Sequence, residues 1–365
     1  MEYTYPVYRP SLDGREAEYV NECLRSNWIS SKGSYVHLFE QEFAAMVKAP
    51  YSVSVCNGTC ALHLAMIALG IGPGDEVIVP TFTYIASVNA ILYVGARPVF
   101  VDCQADTWQI DPEQVKKKIS SATKAVMAVH LYGHPCDLTA LTQTCQQHGV
   151  FLVEDCAEAI GSYYQDQHVG TFGDIAVFSF YGNKTITTGE GGMVVTKDEM
   201  LYERSLHYRG QGLAKYREYW HDVVGYNFRM TNICAAIGLA QLENVEKKLE
   251  KKRLLAQGYA QRLKGHALEL HREIGPVRHS YWMCSVLVES QTQRDLTRQK
   301  LAKAGIETRP LFYPIHTMPM FASRYERHPH SESISLRGMN LPSYPDLGEA
   351  DLDYICAQLV NALQS

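Results

Sequence analysis

Short apolar runs alternate with segments of helical period through the first 200 residues of the chain. This alternation is typical of a parallel sheet that is covered by helices on both faces. The runs that predict strands span residues 76–80, 98–102, 125–130, 151–154, 175–179 and 193–196. The segments between them predict helices at 59–69, 84–94, 112–120 and 138–148.

From Thr231 onward the pattern changes to one long helical segment with an apolar face and a charged run at 247–253. If this helix continues to Leu263, it spans about 48 Å at about 1.5 Å per residue. A strand at 280–288 and helices at 294–304 and 351–363 are predicted beyond it. The chain is therefore predicted to be α/β, with a large domain at 1–240 and a smaller α+β domain at 241–365.

The composition is that of a soluble globular chain, because 46% of the 365 residues are hydrophobic and 20% are charged. The net charge of −5 gives no overall attraction to nucleic acid or to an anionic membrane, so an anionic ligand must be held locally. The sequence has neither an apolar run of about 18 residues nor a secretory signal at residues 1–6. A cytoplasmic protein is expected.

Ten cysteines are spread over the chain without one C-x-x-C, which favours reduced thiols. A zinc site could be built from His130, His134 and Cys136, but no second pair of ligands follows at the spacing of a zinc finger. No metal is predicted.

Three polar motifs could carry chemistry. Asn57-Gly58-Thr59 enters a helix whose free N–H groups and dipole can hold a phosphate, although Asn57 or Thr59 as a simple cap is the alternative. Asp155 follows a strand at the sheet edge where ligands bind, and it can pair with a protonated ring nitrogen or cap a helix. Lys184 lies in a glycine-rich connection, where an enclosed amine becomes a nucleophile, and a solvated lysine is the alternative.

In this order, the three motifs match the phosphate, ring nitrogen and aldehyde of pyridoxal 5′-phosphate. Each is weak alone, and together they predict this cofactor. A nucleotide-hydrolysing P-loop is excluded because the sequence lacks G-x-x-x-x-G-K-[ST], and a dinucleotide dehydrogenase is disfavoured because no G-x-G-x-x-G follows the first predicted strand.

Over essentially its whole length the chain resembles the sugar aminotransferases of the DegT/DnrJ/EryC1/StrS family, which are fold-type I enzymes that use pyridoxal phosphate. The resemblance rests on segments 10–14, 28–33, 57–59, 74–81, 154–157, 178–180 with Lys184, and 189–192. It implies a mostly parallel sheet flanked by helices, a smaller C-terminal domain, and a homodimer whose sites lie at the subunit interface.

The resemblance also assigns roles residue by residue. Lys184 would carry the cofactor and act as acid and base, and Asp155 would pair with the ring nitrogen. The other cofactor contacts that the resemblance implies are Gly58, Thr59 and Ser179 at the phosphate, Tyr84 over the ring, Glu158, and Asn227 at the phosphate of the neighbouring subunit. A non-catalytic binding protein of the same fold is the alternative that the pair of Asp155 and Lys184 disfavours.

Glu158 departs from the wider family, in which many members carry Gln. An amide can donate to the cofactor's phenolic oxygen, whereas a carboxyl there must be protonated or hydrogen-bond differently, because two anionic oxygens repel. Within the family, Glu158 and segments 182–187, 219–222, 226–232 and 312–320 are similar to members that aminate GDP-4-keto-6-deoxymannose with L-glutamate. A UDP- or dTDP-linked 4-keto-6-deoxy sugar stays open. Family members that dehydrate sugars carry His at position 184, so Lys184 favours transamination.

A nucleotide sugar brings a diphosphate, which this acidic chain must bind with local donors. The candidate donors are Arg209, Arg229, Arg309, Lys215 and His316, with a solvated surface as the alternative for Arg209, Arg309 and Lys215. Tyr313 and His316, which lie among prolines, are predicted at the rim of the site as substrate contacts. Trp28, Ser30 and Ser31 could border the hexose, and Trp28 could equally be a core residue.

Overall fold

The computed structural model describes residues 3–322 and 326–364. Its helices are α1 (Glu16–Ser26), α2 (Ser34–Val47), α3 (Gly58–Leu69), α4 (Ile85–Tyr93), α5 (Pro112–Lys118), α6 (Leu138–His148), α7 (Glu199–Arg209), α8 (Asn232–Glu243), α9 (Val245–Arg262), α10 (Gln291–Lys303), α11 (Pro329–Arg337) and α12 (Glu349–Gln364). Its strands are β1 (Tyr51–Val55), β2 (Glu76–Pro80), β3 (Arg97–Val101), β4 (Thr123–Val129), β5 (Phe151–Asp155), β6 (Tyr163–Tyr164), β7 (Gln167–His168), β8 (Ile175–Ser179), β9 (Gly192–Thr196), β10 (Glu269–Leu270), β11 (Val277–Arg278), β12 (Cys284–Leu287), β13 (Arg309–Pro310) and β14 (Gly338–Leu341).

A seven-stranded sheet in the order β1-β9-β8-β5-β4-β2-β3 forms the centre of the large part of the chain. Strands β8, β5, β4, β2 and β3 are parallel to one another, while β9 runs antiparallel to both β1 and β8. The structure confirms the α/β fold class and every strand and helix predicted between residues 59 and 196, to within two residues. Strand β1 was not among the predicted strands.

The site is positioned by strands and helices whose ends are fixed locally. The Asn57 side chain accepts the N–H of Cys60 at 2.8 Å and begins α3, and Gly70 ends it with a left-handed φ of 72°. Asp155 and Ser179 are the last residues of β5 and β8. Since these two strands are parallel, both side chains reach the same edge of the sheet as the first turn of α3.

The predicted single helix from Thr231 to Leu263 is wrong, because the structure divides it into α8 and α9 at Asn244. Asn244 has φ −110° and ψ 10°, outside helical geometry, and its side-chain amide contacts the Ala240 carbonyl at 3.4 Å. An asparagine that competes with the backbone for hydrogen bonds explains this break. Helix α8 then packs against α1 and α2 of the large part.

The C-terminal part has its own antiparallel sheet in the order β10-β12-β14-β13, covered by α9, α10 and α12. A separate apolar cluster forms there around Leu255, Tyr259, Leu301, Ile355 and Leu359. Helix α9 contributes to both parts, because its first turns join the larger core. The division of the chain near residue 240 therefore stays a prediction.

The cysteines and the candidate zinc ligands take ordinary structural places. All ten cysteines lie among the described residues and are unpaired. The Cys136 thiol donates to the Val129 carbonyl at 3.2 Å, and His134 Nδ1 is 2.8 Å from the Pro135 carbonyl oxygen. Within residues 3–322 and 326–364, no helix is both long and apolar enough to cross a bilayer.

Three buried histidines form a cluster that holds only neutral rings. His279 Nε2 lies 3.4 Å from His271 Nδ1, and His271 Nε2 lies 3.0 Å from the Thr107 carbonyl oxygen, so a proton on each Nε2 completes the chain of hydrogen bonds. Burial lowers the pKa of His271 to about 3, and it also lowers the pKa of His279 and His134. This cluster resists protonation only while the protein stays folded.

We expect the free energy of unfolding to fall as the pH drops below about 6.5, where these histidines gain protons in the unfolded chain only. Each of them should remove about 1.4 kcal/mol per pH unit. Urea denaturation at pH 7.5, 6.5 and 5.5 measures this slope. His271→Phe should reduce the slope of this free energy against pH, because it removes one of the three histidines. The exposed His37→Gln should leave the slope unchanged. A constant free energy of unfolding over this range would contradict the assignment.

Candidate active site

A cavity of about 820 Å³ opens at the edge of the large sheet where β5 and β8 end. It brings together eight of the predicted ligand contacts and the predicted cap Asn57, while elements far apart in the chain supply further lining. The predicted residues in its wall are Gly58, Thr59, Tyr84, Asp155, Glu158, Ser179, Lys184 and Arg309. One cavity therefore holds the three motifs that separately gave weak signals.

The start of α3 forms a bare backbone surface in this cavity. Asn57 caps Cys60, and the first N–H groups of a helix have no partner within it, so those of Gly58 and Thr59 remain available to a ligand. A Cβ atom on Gly58 would lie 2.8 Å from Cβ of Ser179, and one on Gly192 would lie 2.6 Å from the Asn57 carbonyl oxygen. Asn57 is thus the cap, and the two glycines let β8 and β9 pack closely against the start of α3, whose free N–H groups fit a phosphate group.

Asp155 lies at the floor of the cavity with only 4% of its surface exposed. The Ser87 hydroxyl donates to one carboxylate oxygen at 2.7 Å, and the Ala157 N–H donates to the other at 3.0 Å. Burial raises the pKa of Asp155, although both hydrogen bonds oppose the rise. A cation bound against this carboxylate would restore its charge, which is what a protonated pyridine nitrogen provides.

Lys184 is enclosed on several sides. Its Nζ lies 4.0 Å from the centre of the Trp282 ring and 3.8 Å from Oε1 of Glu158, and 12% of the side chain is exposed. The Tyr8 hydroxyl donates to the Lys184 carbonyl at 2.5 Å. This enclosure lowers the pKa of Lys184, while Glu158 and Asp155 oppose the fall. The amine is thereby brought closer to the neutral form that a nucleophile needs.

Glu158 lies between the Tyr132 backbone and the Lys184 amine. Its Oε2 accepts the N–H of Tyr132 at 2.8 Å, and its Oε1 faces Lys184. Burial raises the pKa of Glu158 to about 7, so the carboxyl can carry a proton near neutral pH. A protonated Glu158 could donate a hydrogen bond as an amide does. It would then not repel the cofactor's phenolic oxygen, as an anionic carboxylate would.

Several predicted substrate contacts lie outside this cavity. His316 is buried, with Nδ1 2.7 Å from the Thr81 hydroxyl and Nε2 3.3 Å from Glu332, so both ring nitrogens have protein partners. Tyr313 is 48% exposed and is not part of the lining. The structure therefore does not place His316 at the rim, because the short helical turn at 315–317 directs it into the fold.

Most of the candidate diphosphate donors also lie away from the cavity. Arg209 is held by Glu40 at 2.6 Å and the Ser54 carbonyl at 2.7 Å, and Lys215 pairs with Glu203 at the surface. These contacts give both side chains partners away from the cavity. Arg309 alone of the predicted donors lines the cavity, with its guanidinium 3.2 Å from Glu307.

The remaining predicted residues lie on surfaces of this subunit. Trp28, which is 57% exposed, and Ser30 are in the loop between α1 and α2, with the half-buried Ser31. Asn227 is exposed and bridges to Gly210, and Arg229 bridges to Val55. Trp28 is not a core residue, which excludes that alternative.

Further residues, which were not predicted from the sequence, complete the site. Ser87 holds Asp155, and Trp282 lies under the Lys184 amine. The Trp282 ring N–H also donates to the Asn183 carbonyl at 2.8 Å. His63, on the second turn of α3, lines the cavity, and its buried Nε2 lacks a partner among the described residues. No local motif marks Trp282, which comes from the C-terminal part of the chain.

Comparison with known proteins agrees with this geometry. Residues 10–360 match the DegT/DnrJ/EryC1/StrS aminotransferase family. The chain is 56% identical over 354 residues to the GDP-perosamine synthase of Escherichia coli O157:H7, covering 97% of each chain. It is 50% identical over 360 residues to the GDP-perosamine synthase of Vibrio cholerae, covering 98% of each.

Solved structures show the same fold over the full chain. The aminotransferase TlmJ of Streptoalloteichus hindustanus superposes with a TM-score of 0.94 at 30% identity, covering 99% of each chain. PseC of Helicobacter pylori, an aminotransferase involved in the biosynthesis of pseudoaminic acid, has a TM-score of 0.94 at 26% identity, covering 100% of each.

Proposed function

This chain belongs to the DegT/DnrJ/EryC1/StrS aminotransferase family, and from that membership we propose that it converts GDP-4-keto-6-deoxymannose and L-glutamate into GDP-perosamine and 2-oxoglutarate. One observation carries the aminotransferase chemistry, namely that Lys184, Asp155 and the start of α3 line a single cavity. The choice of sugar is supported by relatives that are 56% and 50% identical.

The cofactor of this aminotransferase is pyridoxal 5′-phosphate, which supplies an electron sink for the electrons left when the donor's α-proton departs. The residues of the cavity fit its three functional groups. We assign the N–H groups of Gly58 and Thr59 and the Ser179 hydroxyl to the phosphate. Asp155 would accept the ring N–H and would keep that nitrogen protonated by its opposite charge.

Lys184 is the residue that holds the cofactor and moves the proton. Its Nζ would accept the α-proton of glutamate in the first half-reaction and deliver a proton to C4 of the sugar in the second, with the cofactor holding the proton between the two. The lowered pKa of this amine favours acceptance at neutral pH. Glu158 Oε1 lies 3.8 Å from this amine and can exchange a proton with it, because the pKa of Glu158 is raised to about 7.

Other residues of the cavity offer contacts for the ring face of the cofactor and for the diphosphate of the sugar substrate. Tyr84 and Phe312 line the cavity with their ring centres 5.5 Å apart, and we assign Tyr84 to the exposed face of the cofactor ring. Arg309 is the cationic side chain that we assign to the sugar's diphosphate. The cavity lining does not include Trp28, Ser30, Ser31, Arg229 and Tyr313, and we assign them to the site of a partner subunit.

We also propose that the protein is a homodimer whose sites lie at the interface. Beside Asn227 the segment 213–224 exposes large apolar side chains, including Tyr219 at 92%, Val224 at 87% and Tyr216 at 73%. A surface of this kind is typical of a protein contact. Sedimentation at the mass of one 41.1 kDa chain would contradict this proposal.

We propose a cytoplasmic location, because all ten cysteines are unpaired and disulfides are rare in that compartment.

The substrate is tested by offering GDP-4-keto-6-deoxymannose, and its UDP- and dTDP-linked counterparts, to the purified protein with glutamate. We expect the aminated GDP sugar in the product mass spectrum, together with an equal amount of 2-oxoglutarate. A reaction without glutamate is the control. Amination of only a UDP- or dTDP-linked sugar would overturn the GDP assignment, and no 2-oxoglutarate with any of them would favour a binding protein without turnover.

A further inference from the structure

Helix α9 carries a lysine that is completely buried beneath the site. Lys252 has 0% of its surface exposed, and its Nζ donates to the Trp282 carbonyl at 3.0 Å and to the Ser343 carbonyl at 2.5 Å. The same Nζ lies 5.2 Å from the centre of the Tyr8 ring. Its charge thus faces two carbonyl oxygens and an aromatic ring instead of a carboxylate. Burying a charge without a carboxylate partner costs free energy. A lysine at this position therefore calls for a structural or functional role.

Both neighbours of Lys252 hold the backbone around Lys184. The Tyr8 hydroxyl donates to the Lys184 carbonyl at 2.5 Å, and the Trp282 ring N–H donates to the Asn183 carbonyl at 2.8 Å. The Trp282 ring also lies 4.0 Å from the Lys184 amine. Tyr8 and Trp282 therefore fix two successive carbonyls and one face of the reactive side chain. Lys252 is the group that touches both of them.

We propose that Lys252 is a positioning residue for the Lys184 amine, acting through Tyr8 and Trp282. This rests on the proposed function, in which Lys184 holds the cofactor and moves the proton. The ammonium group joins α9 to the backbone before β12 and after β14, so it ties the C-terminal part to the cavity wall. An apolar side chain of the same length would leave both carbonyls without this donor, and Trp282 would be free to shift.

The chain offers a matched control on the same helix. Lys248 lies one turn earlier and is only 3% exposed, and its Nζ donates to the Ser11 carbonyl at 2.7 Å and to Asp13 at 3.0 Å. It is a buried lysine of α9 whose hydrogen bonds go to Ser11 and Asp13 and not to the Trp282 carbonyl. A general loss of stability in α9 would affect Lys248→Met and Lys252→Met alike.

The test uses the holoenzyme and its half-reaction with glutamate, which does not depend on the identity of the sugar. Because this half-reaction is a single turnover, kcat and KM here denote its limiting rate constant and its half-saturating glutamate concentration. We expect Lys252→Met to lower kcat about 10-fold with KM for glutamate nearly unchanged, since misplacing a reacting group by about 1 Å can cost about 100-fold. The pH midpoint of the cofactor's absorption band should shift by at least about half a unit, because the surroundings of the Lys184 amine change. Lys252→Arg, which keeps the donors, should recover part of both effects.

Two results would overturn the proposal. One is a folded Lys252→Met with the wild-type kcat and absorption midpoint, and the other is an equal change in Lys248→Met. If Lys252→Met does not fold, Trp282→Phe tests the proposal instead. This variant removes the hydrogen bond to the Asn183 carbonyl and keeps an aromatic ring under the Lys184 amine. An unchanged kcat and midpoint in Trp282→Phe would then reject the positioning role. A wild-type protein that binds no pyridoxal phosphate would instead reject the proposed function itself.

Discussion

Replacing Lys184 by alanine is expected to lower turnover by at least about 10⁴-fold, since a single acid–base group contributes about 10²–10⁴-fold and this residue also holds the cofactor. Formation of 2-oxoglutarate from glutamate and ketosugar measures the loss. The fold should be retained, because the contacts of the Lys184 amine with the Trp282 ring and Glu158 lie in the cavity wall and not in the apolar core. A thermal unfolding midpoint close to that of the wild type would show this.

Two further variants separate the chemistry of the amine from its charge. Lys184→Arg keeps a cation but provides no amine that can lose its proton at neutral pH, so it should be as inactive as Lys184→Ala. The exposed Lys197→Ala, one strand away, should retain full turnover. More than about 1% of wild-type turnover in Lys184→Ala would contradict the assigned role, which requires at least a 100-fold loss.

Asp155→Asn should lower kcat by about 10²–10³-fold, the range seen when one preorganised electrostatic partner is removed. The amide keeps the shape of the carboxylate but removes the negative charge that holds the proton on the ring nitrogen. Steady-state kinetics at saturating glutamate measures the change. Ser87→Ala removes one hydrogen bond to Asp155 and should cost about 10-fold or less, since a net hydrogen bond is worth about 1 kcal/mol.

The sign of the stability change gives a second readout for Asp155. Because burial raises the pKa of Asp155, the cofactor-free protein loses stability as the pH rises through the carboxyl's unfolded value near 4. Asp155→Asn should therefore stabilise the cofactor-free protein at neutral pH while it reduces turnover. Wild-type kcat in this variant would remove Asp155 from the mechanism.

The strands of the large sheet could be predicted because buried parallel strands are continuous apolar runs. Strand β1 was missed because its sequence, Tyr-Ser-Val-Ser-Val, alternates serine with valine. Its serines are nonetheless buried, since Ser52 and Ser54 hydrogen-bond to the backbone and side chain of Glu40. The break at Asn244 was missed because apolar spacing continues across it, and periodicity alone does not report a single non-helical residue.

The reactive residues of the site were predictable because each belongs to a local motif at the end of a strand or the start of a helix. Their supports were not predictable, because these depend on contacts between distant positions. Tyr8 reaches Lys184 across 176 positions, and Trp282 reaches Asn183 across 99. His316 was misplaced for the same reason, since its partner Thr81 lies 235 positions away.

The contact of Tyr8 with Lys184 has a consequence for synthesis on the ribosome. The segment that carries Tyr8 leaves the ribosome before the residues that anchor it, namely Gly305, which accepts the Tyr5 N–H at 3.0 Å, and Ser343, whose N–H donates to the Val7 carbonyl at 2.8 Å. A nascent chain can therefore assemble its large sheet well before these anchors emerge. We expect stalled chains that end before residue 280 to fold that sheet without retaining the coenzyme, which a ribosome-bound fluorescence measurement would test.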